Sequence, residues 1–260
     1  MKNFKKYWHV WWTSAKLSLS TNLATRGASL MFILGKFLRF GFFIYFLFVL
    51  GDNIQEIAGY EISTIFTFFL VFNVFDLFGQ LFFRGIYWFR QQVISGEFDF
   101  CLVKPINPLF QALTRQTDFL DMPLLIVVVI ALIKQGISLN IQQAIMLILV
   151  SLSSIILITA VHTAVAALGV LTTEVDHTIL IFRDLSLMAR FPIDIYVDSI
   201  RAILTFVIPI GLIFTFPAKA FLGLLTLQNG LLAIFASGLF FYLSHTFWQY
   251  ALTQYSSASS

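Results

Sequence analysis

The run IQQAIMLILVSLSSIILITAVHTAVAALGVL, residues 141–171, contains no Asp, Glu, Lys or Arg. At the helical rise of about 1.5 Å per residue it more than covers the roughly 30 Å of hydrocarbon in a bilayer. It reads as a membrane-spanning helix, and the rest of the chain agrees. Of 260 residues, 59% are hydrophobic and 17% aromatic, with 31 Phe. Only 11% are charged, against about 25% in an ordinary globular protein. Mean hydropathy is +0.89. A soluble fold of this length leaves too much of itself exposed to hide so much apolar surface. Lipid is therefore the solvent, and a soluble enzyme, a disordered protein and a nucleic-acid binder are all excluded. The net charge of +3 reports loop topology in such a chain. Cys101 is the single cysteine, so no disulfide closes within the chain.

Five more apolar segments flank this run, at about 29–50, 61–83, a short 119–133, a weaker 178–188, and 231–252. The pattern predicts an all-α integral membrane protein with six transmembrane helices over residues 29–252; a five-span count stays open. Residues 1–28 precede the first span. There Phe4, Tyr7, Trp8, Trp11 and Trp12 recur at spacings of three and four beside Lys2, Lys5, Lys6 and Lys16. Indoles favour the headgroup level and lysines meet anionic lipid, so this segment predicts an interfacial amphipathic helix in contact with membrane lipid. The alternative is a helix packed on the bundle and facing water. A cleavable signal would place its apolar core earlier than Ser29. Residues 191–225 are apolar but broken by Pro192, Pro209, Pro217 and Gly211. Irregular backbone at membrane depth must be satisfied by protein or water, which predicts an outer re-entrant hairpin; a kinked fifth span is the alternative. Arg190, just before it, and Asp194 are four apart, and Asp198 and Arg201 three apart, spacings that allow local neutralisation. Residues 253–260 form a Ser-rich tail that reads as a frayed end.

Lys and Arg set the orientation. Lys2, Lys5, Lys6, Lys16 and Arg26 precede the first span, and Arg84, Arg90, Lys104 and Arg115 lie between the second and third. The loop between the first and second spans has none, and the next has Lys134 alone. Both termini and the 84–118 segment are therefore expected in the cytoplasm, across a cytoplasmic membrane. Arg190, Arg201 and Lys219 then fall outside, against the rule.

Catalytic groupings are missing. His9, His162, His177, His245 and Cys101 are scattered without metal-ligand spacing. Gly35-Lys36 is no phosphate loop, because Leu30 and Phe37 stand where Gly and Ser or Thr belong. Charges inside spans are costly and tend to face a bundle interior or a wet cavity. Lys36, Arg39 and Asp76 are such charges, and Asn73 and Asp76 share one helix face. They read either as a polar patch on a pathway or as snorkelling cations with Asp76 neutralised by one of them or by Arg84. Ser151, Ser153, Ser154, Thr159 and His162 read as helix–helix glue.

The 84–118 segment is too short for an independent domain. It begins as a short aromatic helix, turns at Ser95-Gly96, and is stiffened by Pro105 and Pro108. A rigid knob with exposed aromatics and mixed charge suits a soluble partner; a loop packed on its own bundle is the alternative.

Here a family resemblance enters. Gly96-Glu97-Phe98-Asp99, Leu102 and Lys104-Pro105-Ile106-Asn107-Pro108 resemble the G-x-x-D-x-x-L-x-(R/K)-P-x-x-P motif of bacterial type-2 ABC exporter permeases. Arg190-Phe191-Pro192-Ile193-Asp194-Ile195-Tyr196, then Arg201, Pro209 and Pro217, resemble the same family's second signature, with Val197 where proline is common. The resemblance implies the membrane subunit of an ATP-driven exporter, with no cofactor in this chain. ATP and Mg would lie on a partner, an ATP-binding cassette subunit in two copies. A second permease, identical or a paralogue, would complete the complex. The interfacial helix and the second-to-third loop would contact the ATPase. Arg84, Arg90, Gly96, Glu97, Asp99, Lys104, Pro105 and Pro108 then carry coupling, and Asn73 and Asp76 lie on the pathway. An ion-coupled secondary transporter would need carboxylates across several spans, and a lipid-acting enzyme a cluster of acid, base or metal ligands; the sequence offers neither.

Overall fold

The computed structural model describes residues 2–172 and 178–256. His177 and the end of the serine tail lie outside that set. Helix α1 (Lys2–Ala24) bends at Thr25 into α2 (Arg26–Asn53). A minimal hairpin, β1 (Glu56–Ile57) and β2 (Tyr60–Glu61), follows with Glu56 opposite Glu61. Its two turn residues, Ala58 and Gly59, both have positive φ, the backbone of a two-residue turn matched to strand twist. Helix α3 (Ile62–Phe83) leads into three short helices, α4 (Ile86–Ile94), α5 (Glu97–Leu102) and α6 (Pro108–Thr114). Then come α7 (Met122–Lys134), α8 (Ile141–Leu171), α9 (Thr178–Ser186), α10 (Asp198–Ala202), α11 (Phe216–Phe221) and α12 (Leu227–Gln254).

The fold is all-α and membrane-spanning, as the composition requires. Among the described residues four runs are long and apolar enough to cross a bilayer: 26–53, 62–94, 141–171 and 227–254. Two bent pairs raise the count to as many as six: α6 with 119–134, bent by 48°, and 198–207 with 211–221, bent by 83°. The 141–171 run is one unbroken helix. It starts at a capping box in which the Asn140 side chain accepts from the Gln143 N–H and the Gln143 side chain accepts from the Asn140 N–H, so the first free donors are satisfied. Helix α8 packs along α12, and together with α3 they hold the centre of the bundle.

The bundle has two ends. At one end α1 and the α4–α6 knob gather around the last turns of α8 and α12. The other end carries the β1–β2 hairpin and the start of α8. The proline-broken segment is anchored there. Asp194 pairs with Lys219 at 2.8 Å and accepts from the Tyr60 hydroxyl at 3.0 Å, while the Gln143 amide donates to the Gly223 carbonyl. Burial, and then the Asp194 carboxylate, push the Tyr60 hydroxyl up to about 12. From this end the chain dips inward and returns. Ser154 in α8 donates to the Leu212 carbonyl at 3.3 Å, and Phe214 packs on Phe72 of α3. Pro209 has no N–H to donate, and wide π-helical turns, Ile203–Val207 and Gly211–Thr215, lie on either side of it.

This geometry refines two expectations. Among the described residues helix α9 covers nine positions, fewer than a crossing needs. Its path continues through 3-10 turns at Leu187–Arg190 and Ile193–Ile195, so the dipping hairpin begins near Asp198 and not at Phe191. Arg190 does not pair with Asp194. Asp194 is held by Lys219 and Tyr60 at the hairpin end, while Arg190 stops one 3-10 turn earlier, over the ring of Phe43 in α2. Asp198 and Arg201 do form their ion pair. Of the three cations that broke the loop-charge pattern, two are thus neutralised locally and the third lies within the bundle.

Candidate functional site

The α4–α6 knob is built around a phenylalanine plug. Gly96 has φ +75°, a left-handed backbone that costs glycine nothing, and it turns the chain sharply from α4 into α5. Helix α5 then points Phe98 and Cys101 inward. Phe98 meets Phe89 of α4 edge-on at 5.1 Å, and reaches Trp248 and Tyr255 at 6.2 and 5.2 Å. The knob is therefore bolted to the last turns of α12. Tyr255 reinforces the joint by donating to Asp99 at 2.8 Å. Burial, and then this bond and the Asp99 charge, raise the Tyr255 hydroxyl to about 12.

The proline motif has a local reason. Asn107 caps α6 by accepting from the Leu109 and Phe110 N–H groups, and Pro108 opens the helix, where its missing N–H costs nothing. Gln111 ties back to the carbonyls of Cys101 and Ile106. Helix α6 backs tightly onto Gly85, where a Cβ would come within 2.8 Å of the Ala112 carbonyl and 2.9 Å of the Leu113 carbonyl. Helix α1 grips the loop between α5 and α6. Lys6 donates to the Pro105 carbonyl, Tyr7 accepts from the Asn107 N–H at 3.2 Å, and Tyr7 meets Phe110 edge-on.

The tryptophan stripe divides. Trp11 is buried against Phe82 and Phe119, while Trp8 and Trp12 stay exposed and stack on each other. Helix α1 thus packs on the bundle and still offers two indoles outward. Among the expected coupling residues, Glu97 pairs with Arg115 at 3.2 Å, Asp99 bonds Tyr255, and Arg84 lies 3.7 Å from Asp118. Arg90 is half-buried and Lys104 is exposed. The acids are used within the knob. Its outward rim is apolar instead: Val103 is 80% exposed and Phe100 68%, with Trp88, Ile94 and Leu102 also exposed. The sequence reading of exposed aromatics with mixed charge did not single out Val103 and Leu102, which form this rim with Phe100.

A second site lies inside the bundle, a cavity of about 280 Å³ between α2, α3, α7 and the α9 segment. Asn73 and Asp76 both line it, and Lys36, Arg39, Gln80, Arg84, Arg183, Asp184 and Arg190 join them. Three of its five cations already meet carboxylates: Lys36 bonds Asp121, Arg84 lies near Asp118, and Arg183 contacts Asp184. Asp76, Gln80 and Arg84 follow one another at four-residue spacing on α3, with Gln80 bonding Asp76 and accepting from Arg84 at 2.7 Å. Asn73 donates to the Phe69 carbonyl of its own helix. Sequence reasoning missed Asp121, the fully buried partner of Lys36. An unmatched lysine inside a span was itself a signal that a carboxylate must come from another segment. The polar groups of α8 are mostly self-satisfied. Thr159 bonds back to the carbonyl four residues earlier, and His162 Nδ1 lies 2.8 Å from the Ile158 carbonyl, its ring between Phe83 and Phe182. No group of His, Cys, Asp and Glu among the described residues could hold a metal.

A polytopic helical membrane protein with an internally braced knob at one end and a charged cavity in its interior has the build of a transport subunit. The chain matches the family described as ABC-2 family transporter protein over residues 37–259. It belongs to that family, and it is a membrane-embedded permease of the ABC transporter class. No curated protein and no solved structure matches it.

Proposed function

We propose that this chain is the membrane subunit of an ATP-driven exporter whose knob and α1 receive an ATP-binding cassette subunit. The observation that carries this reading is the apolar rim of α5, Phe100, Leu102 and Val103, held out from the bundle on a rigid base. A scattered exposed apolar residue means little, but a contiguous patch on a braced element marks a docking surface. The α1 end also gathers the basic residues: Lys6 and Tyr7 of α1 bond the loop beside Lys104, and Ser18 reaches the Thr117 N–H next to Arg115. Lys and Arg concentrate in cytoplasmic loops, which supports putting this end, both termini and the ATPase on the cytoplasmic side of a cytoplasmic membrane.

On this reading two ATPase subunits hold ATP and Mg and close on nucleotide binding. That closure pushes on α5. Phe98 passes the push to α12 through Trp248 and Tyr255, α6 passes it to the α3–α4 joint at Gly85, and Tyr7 carries it into α1. Two permeases, identical or paralogous, complete the complex, and their charged cavities form the pathway. Glu97 and Asp99 act here as positioning residues for the knob. The reading is tested by purifying the chain from its native cell in mild detergent. A stoichiometric ATP-binding subunit, lost on Phe100→Asp or Val103→Asp while the fold survives, is the expected result. A chain that purifies alone with no associated nucleotide turnover would defeat the reading.

A further inference from the structure

We infer that the interior cavity binds the anionic group of an amphipathic substrate, a phosphate or carboxylate joined to an apolar portion. The charge balance is the first observation. Once Lys36, Arg84 and Arg183 are matched to Asp121, Asp118 and Asp184, Arg39 and Arg190 remain with only Asp76 among the cavity's lining carboxylates. The cavity therefore holds one cation more than it can neutralise. The second observation is that Arg190 Nε is buried without a hydrogen-bond partner. A buried guanidinium N–H left unmade is costly, and a planar fork of this kind matches carboxylate or phosphate oxygens.

Depth is the third observation. Arg39 is the fourteenth of the 28 residues of α2, about 20 Å from either helix end. It is nevertheless exposed on this chain. An arginine near the bilayer centre does not face lipid; it faces protein or a wet path. Its exposure marks the side on which the cavity opens. The apolar part of the substrate is set by the walls, where Phe32, Phe40, Phe69 and Leu124 alternate with the charges. An inorganic anion would leave these rings unused. A neutral or cationic amphiphile would leave Arg190 unmatched.

The word substrate rests on the transport reading above, but the binding does not, so the two can fail separately. The test uses the full chain in dodecyl maltoside, whose headgroup is uncharged, and counts bound ligand by native mass spectrometry. The probes are dodecyl phosphate, dodecylphosphocholine and inorganic phosphate. Dodecyl phosphate is expected to stay bound one per chain, with the zwitterion retained far less. Arg190→Gln and Arg39→Gln should each cut retention about tenfold, the size expected for one charge-assisted bond, and Arg190→Lys should restore part of it. Unchanged helicity and thermal midpoint separate lost binding from lost folding. Equal retention of the zwitterion, or full retention by Arg190→Gln, would overturn the inference. Displacement of dodecyl phosphate by an equal concentration of inorganic phosphate would also overturn it, because the site would then read a free anion and not an amphiphile.

Discussion

Helices α2 and α3 are nearly matched in apolar character and opposite in use. The best window of the 62–94 run has mean hydropathy 1.8 and is 67% buried, while that of α2 has mean hydropathy 1.9 and is 6% buried. Hydropathy reports which solvent a helix tolerates, not which neighbour it has. Helix α3 is a core element whose phenylalanines interlock with the dipping hairpin. Helix α2 leans on the bundle through a few rings, such as Phe43 on Phe69 at 4.2 Å, and through one buried ion pair. Its free face carries Phe42, Tyr45 and Phe48 outward along with Arg39.

The contrast breaks most visibly with paired truncations. Phe72 is 1% exposed and Phe42 is 69% exposed. Phe72→Ala should destabilise the chain by about 3–5 kcal/mol, and Phe42→Ala by less than about 0.5 kcal/mol, read by thermal unfolding in detergent. Equal losses would mean that α2 is a core helix after all. Next in size is the anchor of α2. Asp121→Asn strands Lys36 and should cost about 3 kcal/mol, the low side for a broken buried pair, because Lys36 keeps partial exposure. Accelerated labelling of a cysteine placed at Leu47, the buried aliphatic of α2, would report the helix loosening. At the far end of the α3 run, Gly85→Ala forces a Cβ against two backbone carbonyls and should cost about 2 kcal/mol through overpacking. Gly35→Ala in α2, where nothing lies within 4 Å, should cost nothing measurable.

The smallest effect is a titration. The Tyr255 hydroxyl is raised to about 12, by burial first and then by Asp99, against about 10 in an unfolded chain. A raised folded value means stability is fully present below about pH 10 and is lost as pH climbs towards 12. Accessibility of Cys101, the buried thiol of α5, should rise over that window. Tyr255→Phe should reduce the pH dependence, leaving the part that Tyr60 contributes over the same window.

The same contrast shows what could be read from the chain alone. The limits of α3 and α8 were legible because each is an uninterrupted apolar run with a clear stop. The knob was legible because Gly96, Pro105 and Pro108 constrain backbone geometry locally. The segment after α8 was not. Its described helix covers nine residues and runs on into 3-10 turns that have no periodicity of their own. The four-residue spacing of Arg190 and Asp194 allows a helical pair, but a 3-10 turn lies there, and Lys219 arrives from a distant part of the chain. Asn73 and Asp76 were found by their shared face. Lys36, Arg39 and Arg84 were read as charges that could meet Asp76; Arg183 and Arg190 arrive from the α9 segment, and no local pattern announces that meeting. The family resemblance named Glu97 and Asp99 among the coupling residues; both have partners within the chain, and the rim that faces outward is apolar.

The account turns on where the ATPase touches this chain. A photo-crosslinking residue placed at Val103, on the rim of the knob, and another at Ile133, 73% exposed near the opposite end of α7, would settle it in the intact membrane. A crosslinked ATP-binding subunit from position 103 and none from position 133 is the predicted result. Crosslinks from 133, or a silent position 103 in a complex that still hydrolyses ATP, would contradict it.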